Sequence, residues 1–316
     1  MKNKDNNNPS ALIKEKAYDL GFDLCGIAKA RPLKENEPVL RAWCEAGMNS
    51  NMGYLGRNIE KRLNPEYLLP GAKSIVVTGL NYFSEIRQTQ PGVPVLSRYA
   101  YGINYHDVIT VKLEKLLAFI KTIESGTEGR PFVDSAPILE KAWAKEAGLG
   151  WRGKHSIIIN KKIGSFFFIG VLILNIDLGY DNPFAGDYCG ECRLCIDLCP
   201  TDAINDNRTV DTRKCIANLT IENRGPVPEE IIPRLEGKVY GCDKCQDVCP
   251  WNKKALPNSH PEFNINEKVA AMSREEWLSL TEEQYTNLFG NTAIERVRYN
   301  DLMHNIAAAI KSMKKA

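Results

Sequence analysis

The run CGECRLCIDLCP, from Cys189 to Pro200, constrains this chain more than any other stretch. Its spacing, C-x2-C-x2-C-x3-C-P, puts three thiolates on one loop around a first iron–sulfur cubane and directs the fourth, just before the proline, to a second. Cys189, Cys192 and Cys195 therefore belong to one cluster and Cys199 to the other. A second run, YGCDKCQDVCPW from Tyr240 to Trp251, ends the same way but has Val239 where its first thiol is due. By the same crossover Cys249 returns to the first cluster, which leaves Cys199, Cys242 and Cys245 on the second with one iron short of a ligand. The nearby remaining thiol is Cys215, in KCIANLTIENRGPVP, and it is expected to close the second site. A pair of zinc sites is the competing reading, because C-x2-C pairs also hold zinc, but a zinc ribbon does not call for the C-x2-C-x2-C triple.

Eight of the ten cysteines are used in this way, while Cys25 and Cys44 stand alone upstream and read as small buried hydrophobes. Such a density of thiols suits a reducing compartment, where they serve metals or catalysis rather than disulfides. The start, MKNKDNNNPSALIKEK, lacks the apolar core, twin arginine and cleavage site of an export signal, so it is expected to fray and the protein to be cytoplasmic. The most apolar stretch, IGSFFFIGVLIL, is shorter than the about 20 residues a membrane helix needs, so it reads as a buried strand and no membrane partner is expected. With 316 residues, 43% hydrophobic and 25% charged, the chain can build one large or two modest cores. A formal charge of +2 gives no strong global field, so a nucleic-acid partner requires a local basic surface.

The expected fold class is α+β. SIVVTGLNYF reads as a strand, HDVITVKLEKLLAFIKTIES as a helix, PFVDSAP as a strand entering a turn, and ILEKAWAKEAGLG as a helix closed by Gly148. SIIIN and SFFFIGVLILN read as two adjacent strands. Together these elements form a layered sandwich over residues 1–177. From about Leu178 the composition turns to Gly, Pro, Asp and Cys, and residues 178–255 read as a small ferredoxin-like domain in which clusters do the work of an apolar core. Residues 256–316 read as helices that pack back on the body.

The blocks MGYLGRNIEKRLNP, SRYAYGINYH, PFVDSAP, GLGWRGKHSIIIN, CGECRLCIDLCP, CIANLTIENRG, YGCDKCQDVCPWN and NTAIERVRYNDLMHN, in that order, resemble the epoxyqueuosine reductases, cobalamin and iron–sulfur enzymes of transfer-RNA modification. The likeness covers most of the chain. It implies a nitroreductase-like N-terminal α/β sandwich that binds cobalamin beside two [4Fe-4S] clusters. It also implies the last step of queuosine synthesis, in which two electrons remove an epoxide oxygen from the modified anticodon base of tRNA and release water. In that family the clusters reduce cobalt stepwise, low-valent cobalt drives epoxide opening, and a carboxylic acid protonates the departing oxygen. Members often continue into a C-terminal helical repeat module, and this chain is expected to lack it.

Asp134, in PFVDSAP, matches the family's proton donor; without the resemblance it reads as a turn aspartate before Pro137. To act as an acid near neutral pH it is expected to sit poorly solvated, with a raised pKa. Arg57, Ser97, His155, Ala217 and Asp243 fall, with Asp134, at positions similar to the family's cofactor contacts, and each also has an ordinary surface, turn or loop reading. Ala217 and Asn218 depart from the serine and aromatic residue expected after the matching cysteine, which leaves backbone contact there. No D-x-H-x-x-G cobalamin signature is present, so His106 is expected to be structural or near the substrate rather than a cobalt ligand. Among Lys141, Lys145, Arg152, Lys154, Arg224, Lys253 and Lys254, Arg224 beside the Cys215 loop is the expected tRNA contact, with the target base turned out of its stack. The expected partners are tRNA carrying epoxyqueuosine and a reductant protein, and the enzyme is expected to be a monomer. Two other functions fit parts of the sequence. A respiratory corrinoid reductive dehalogenase would usually carry a twin-arginine signal, and a plain ferredoxin-like carrier would not need a large domain with Asp134.

Overall fold

The computed structural model describes residues 8–313, so the frayed tip expected at the start lies outside the described residues. A four-stranded antiparallel sheet runs in the order Leu24–Lys29, Ser74–Asn81, Phe167–Leu174, Gly129–Phe132. Every residue of Ser74–Asn81 is buried, because the sheet is covered on both sides, and its sequence is accordingly a near-continuous apolar run rather than an alternating one. On one side Val76, Leu80, Phe168 and Leu172 pack under the helices Pro9–Asp19 and Tyr105–Ile123 through Ile13, Ile109, Leu113 and Leu116. On the other, Ile75, Val77, Val171 and Ile173 meet Trp143 and Ala144 of the helix Glu140–Glu146. The result is a three-layer sandwich. Gly170 admits the long helix, since a Cβ there would sit 2.8 Å from Ile109 Cγ2 and 2.7 Å from the Thr78 hydroxyl.

SIIIN does not lie beside SFFFIGVLILN in this sheet. Ile158–Ile159 pairs instead with Trp151–Arg152 in a separate two-stranded sheet, Trp151 opposite Ile159. Asn160 supplies the reason: its side-chain oxygen accepts from the Lys162 N–H at 2.8 Å, and its amide donates to the Leu149 carbonyl at 2.6 Å. The chain therefore turns at Asn160, and the second apolar run enters a different sheet.

The cluster-bearing segment has little apolar core of its own: Ile216, Val227, Ile232 and Leu235 gather with Ala308 of the last helix, Tyr299–Met313. Val239, which stands where a cysteine would complete the second run, is fully buried in the strand Lys238–Tyr240, paired in parallel with Val95–Leu96. It packs in one core with Trp277, Phe289, Ile306 and Ile310 of the tail. The tail helices Arg274–Leu278 and Glu282–Phe289 each start with a capping box, Ser273 with Glu276 and Thr281 with Gln284. Among the described residues no helix is long and apolar enough to cross a membrane.

Candidate active site

Among the described residues no three Cys, His, Asp or Glu side chains converge as a group that could hold a metal ion; the eight thiols line two voids instead. Cys189, Cys192, Cys195 and Cys249 line a cavity of about 280 Å3. The Trp151 indole donates to Cys189 Sγ at 3.4 Å, Trp251 adds to the apolar wall, and Phe184 packs against Trp151, Ile159 and Cys249. Lys154, read from the sequence as a basic surface candidate, fixes this loop by donating to the carbonyls of Gly190 at 2.7 Å and Cys192 at 2.9 Å. Cys199, Cys215, Cys242 and Cys245 line part of a second cavity of about 1700 Å3. Burial raises the Cys215 pKa, and the backbone N–H groups of Asn218 and Ala217, at the start of the helix Ile216–Ile221, work against it by favouring the thiolate. Burial pushes the Cys242 thiol up to about 12 and the Cys195 thiol up to about 11. Four such thiols become thiolates together only around a positively charged core, and thiols that line a void of about 280 Å3 without converging on a single ion fit a cubane better than zinc.

The larger cavity exceeds the roughly 300–1,000 Å3 of an ordinary small-molecule site, so it has room for a macrocyclic cofactor and a nucleobase together. Arg57, Asp134, His155 and Ala217 stand on its wall. His155 lines both cavities. Its Nδ1 accepts from the Ile157 N–H at 3.2 Å, whereas its buried Nε2 has no partner. Burial, then the Lys141 charge, pushes this imidazole down to about 4, so it is neutral at physiological pH and its free nitrogen is available to a cofactor. Lys141 itself, another basic candidate, lines the cavity, where burial lowers its pKa.

Asp134 follows the strand Gly129–Phe132 in the left-handed region, with φ +53°, which aspartate tolerates better than most residues. Its side chain is 68% accessible, but it opens into the cavity. Tyr105 donates its hydroxyl to Asp134 Oδ2 at 2.7 Å, and His106 Nε2 stands 3.8 Å from the same oxygen. Stacking holds the Tyr105 ring, with Phe168 at 4.3 Å and 4° between planes and His106 at 4.2 Å. Asn104 caps the helix below and lies 3.0 Å from His106 Nδ1.

The raised pKa expected for Asp134 is not what this geometry gives. The His106 imidazole foremost, together with the Tyr105 hydroxyl, holds the carboxyl below the ordinary aspartate range, against the opposing effect of enclosure. On the cavity wall the raised carboxyl is Glu140, pushed up to about 7 by burial and then by the Asp134 charge. Neither Tyr105 nor Glu140 belongs to a motif that marks it as functional in the sequence. The only available signal was their position within or just beyond the blocks SRYAYGINYH and PFVDSAP.

Ser97 and Asp243 do not line the cavity but bond to each other. Asp243 Oδ2 also accepts from the backbone N–H and the guanidinium of Arg98, each at 2.9 Å, and Arg98 reaches Asp247 at 2.8 Å. This buried lattice ties the loop carrying Cys242 and Cys245 to the Ser97–Arg98 segment. Arg224 is exposed and lies outside the cavity lining, donating to the carbonyls of Ile221 at 3.2 Å and Arg296 at 3.3 Å. Arg296 does line the cavity and forms a two-bonded pair with Glu222, at 2.7 and 2.8 Å.

Cluster thiols and an acid opening into one shared cavity describe an iron–sulfur oxidoreductase that spends its electrons internally, not a carrier that only passes them on. The sequence comparisons sharpen that class. Residues 188–252 match the 4Fe-4S double cluster binding domain, and residues 62–135 match the family described as epoxyqueuosine reductase QueG. An epoxyqueuosine reductase of Cellulophaga algicola is 44% identical over 297 residues, covering 94% of this chain and 96% of that one. A crystal structure of epoxyqueuosine reductase with a tRNA-Tyr epoxyqueuosine-modified stem loop superposes with a TM-score of 0.89 at 29% identity, over 97% of this chain and 82% of that one. The Bacillus subtilis epoxyqueuosine reductase, solved with its Asp134 catalytic loop swung out of the active site, gives 0.88 at 28% identity over the same shares. The chain belongs to the epoxyqueuosine reductase family.

Proposed function

We propose that the chain removes the epoxide oxygen of epoxyqueuosine in the tRNA anticodon, giving queuosine and water, with cobalamin and two [4Fe-4S] clusters as cofactors. The observation that carries this reading is a single cavity joining four cluster thiols to Asp134, with room for cofactor and base. Bound cobalamin, reduced through the clusters, supplies a strongly nucleophilic low-valent cobalt for opening the epoxide. Cys189, Cys192, Cys195 and Cys249 hold the first cluster, and Cys199, Cys215, Cys242 and Cys245 the second. Arg57, neutral His155 and the backbone at Ala217 hold the cofactor from the cavity wall. Ser97 and Asp243 contribute from outside it, by fixing the Cys242–Cys245 loop.

Asp134 hands a proton to the departing oxygen, taking it up only as cofactor and base fill the cavity and strip water from the carboxylate, and Tyr105 and His106 aim its carboxyl. Arg224, exposed at the Cys215 loop, contacts the tRNA backbone. The work divides among a cofactor domain over residues 1–177, a cluster domain over 178–255 and a supporting tail over 256–316. The enzyme acts as a monomer in the cytoplasm, where its tRNA substrate is found, and a reductant protein reloads it at the first cluster, whose Cys192 is exposed.

The test uses anaerobic, cobalamin-loaded, prereduced protein and an epoxyqueuosine stem loop, read by mass spectrometry of the digested nucleosides. Wild type is expected to convert the base to a product lighter by one oxygen atom. Asp134→Ala is expected to show the same corrin spectrum while turnover falls about 100-fold or more. Normal turnover in that variant refutes the role of Asp134. A wild-type protein that binds no corrin points to the carrier function.

A further inference from the structure

The proposed reaction needs more than one proton. Two C–O bonds of the epoxide break, a C=C bond forms, and the oxygen leaves as water after taking up two electrons and two protons. Asp134 accounts for one of those protons. We infer that Glu140 is the second proton donor of the site: when the second C–O bond breaks, the departing hydroxide takes its proton from Glu140 and leaves as water. The inference rests on the reaction proposed above.

Glu140 opens the helix Glu140–Glu146, at the end of the loop that carries Asp134, and both side chains line the same cavity. Glu140 Oε1 is buried with no hydrogen-bond partner. The charged and titratable groups facing it are Asp134 on the loop, Lys141 on its own helix, Arg62 from the helix Ile59–Leu63, and the Tyr105 phenol from the helix Tyr105–Ile123. Arg62 is turned to other work, donating to the Tyr54 carbonyl at 3.1 Å. Among the described residues neither Arg62 nor Lys141 forms an ion pair with Glu140 within 4.0 Å. A buried carboxyl without an ion-pair partner, beside an ionised carboxyl, favours its neutral acid form, and burial foremost pushes Glu140 up to about 7. Before the cavity fills, His106 and Tyr105 hold Asp134 ionised while Glu140 keeps its proton, so the two carboxyls are driven apart and Glu140 is the one loaded from the start. Transfer from Glu140 to hydroxide is strongly downhill, and it needs no water from outside once tRNA covers the cavity.

The experiment measures one turnover of the epoxyqueuosine stem loop by prereduced holoenzyme across the neutral pH range, in wild type, Glu140→Gln and Glu140→Asp. The Glu140 proton is present below about 7 and lost above it, so the wild-type rate is expected to fall as pH rises through that value. Glu140→Gln is expected to be about 100-fold slower and to lose the fall. Glu140→Asp, which keeps an acid, is expected to retain it at lower pH. Independently of activity, infrared difference spectra of wild type are expected to contain a protonated-carboxyl band that vanishes as pH passes about 7 and is missing from Glu140→Gln. A Glu140→Gln enzyme with wild-type rate and pH profile, or the absence of such a band in wild type, overturns the inference. Should Glu140→Gln fail to fold, an unshifted profile in Glu140→Asp overturns it equally. Inactive wild type rejects the proposed reaction, whereas active wild type with an indifferent Glu140→Gln rejects only the role of Glu140.

Discussion

Replacing Arg98 by methionine tests how the second cluster loop is held. The guanidinium is 2% exposed, bonds Asp243 at 2.9 Å and Asp247 at 2.8 Å, and lies over the rings of Phe166 and Phe83 at 5.1 and 5.6 Å. Methionine keeps much of the packing against those rings but leaves Asp243 buried with only Ser97 and one backbone N–H. Breaking a buried ion pair from one side costs about 3–5 kcal/mol. Arg98 Nε and Nη2 are buried without partners, a cost already present in the wild type, so the lower end of about 3 kcal/mol applies. At about 2–4 °C per kcal/mol for a chain of this order of size, the melting temperature is expected to fall by about 6–12 °C. The assay is anaerobic thermal unfolding together with iron retention, the second cluster being lost first on heating. Arg98→Met combined with Asp243→Asn is expected to recover part of the loss, because the stranded charge is gone. A melting temperature unchanged within about 1 °C, with both clusters retained, would refute this reasoning.

Cys215→Ser is expected to lose the second cluster and keep the first, with iron and sulfide each falling by about half; unchanged content would mean another ligand closes that site. Tyr105→Phe removes a donor that favours the ionised Asp134 carboxyl, so the limb of the pH–rate profile due to that group should move to higher pH, and an unmoved limb contradicts the assignment. Glu140 binds its proton more tightly in the folded chain than in the unfolded one, so its contribution to stability falls as pH rises from the ordinary glutamate value of 4.5 to about 7. Urea unfolding of wild type and Glu140→Gln across that window should therefore differ in slope, and parallel curves would argue that the carboxyl is not perturbed.

The cluster ligands were legible because their spacing is local: three thiols on one turn of chain need no knowledge of the fold. Cys215 was reached only by elimination, and the structure lines it up with Cys199, Cys242 and Cys245 on one cavity. The sandwich strands were legible where both faces are buried, as in Ser74–Asn81, but the side chain of Asn160 diverts SIIIN into another sheet, and periodicity carries no trace of that. The acid's environment was hidden because it is non-local. Tyr105 and Asp134 are 29 positions apart, and Ser97 and Asp243 are 146 apart. Resemblance alone gave Ser97 and Asp243 the same part as Arg57 and His155. Their hydrogen bonds separate them, two residues fixing a loop and two on the cavity wall.

The central claim is that electrons held on the two clusters that the eight thiols ligate are consumed in the cavity where Asp134 stands. Its most direct measurement is a single turnover without external reductant, in which prereduced, cobalamin-loaded protein meets one equivalent of epoxyqueuosine stem loop and electron paramagnetic resonance and nucleoside mass spectrometry are read on the same samples. The signals of the reduced clusters are predicted to fade in step with the appearance of queuosine. Product formed while both signals persist, or signals that stay reduced with no product, would contradict the account.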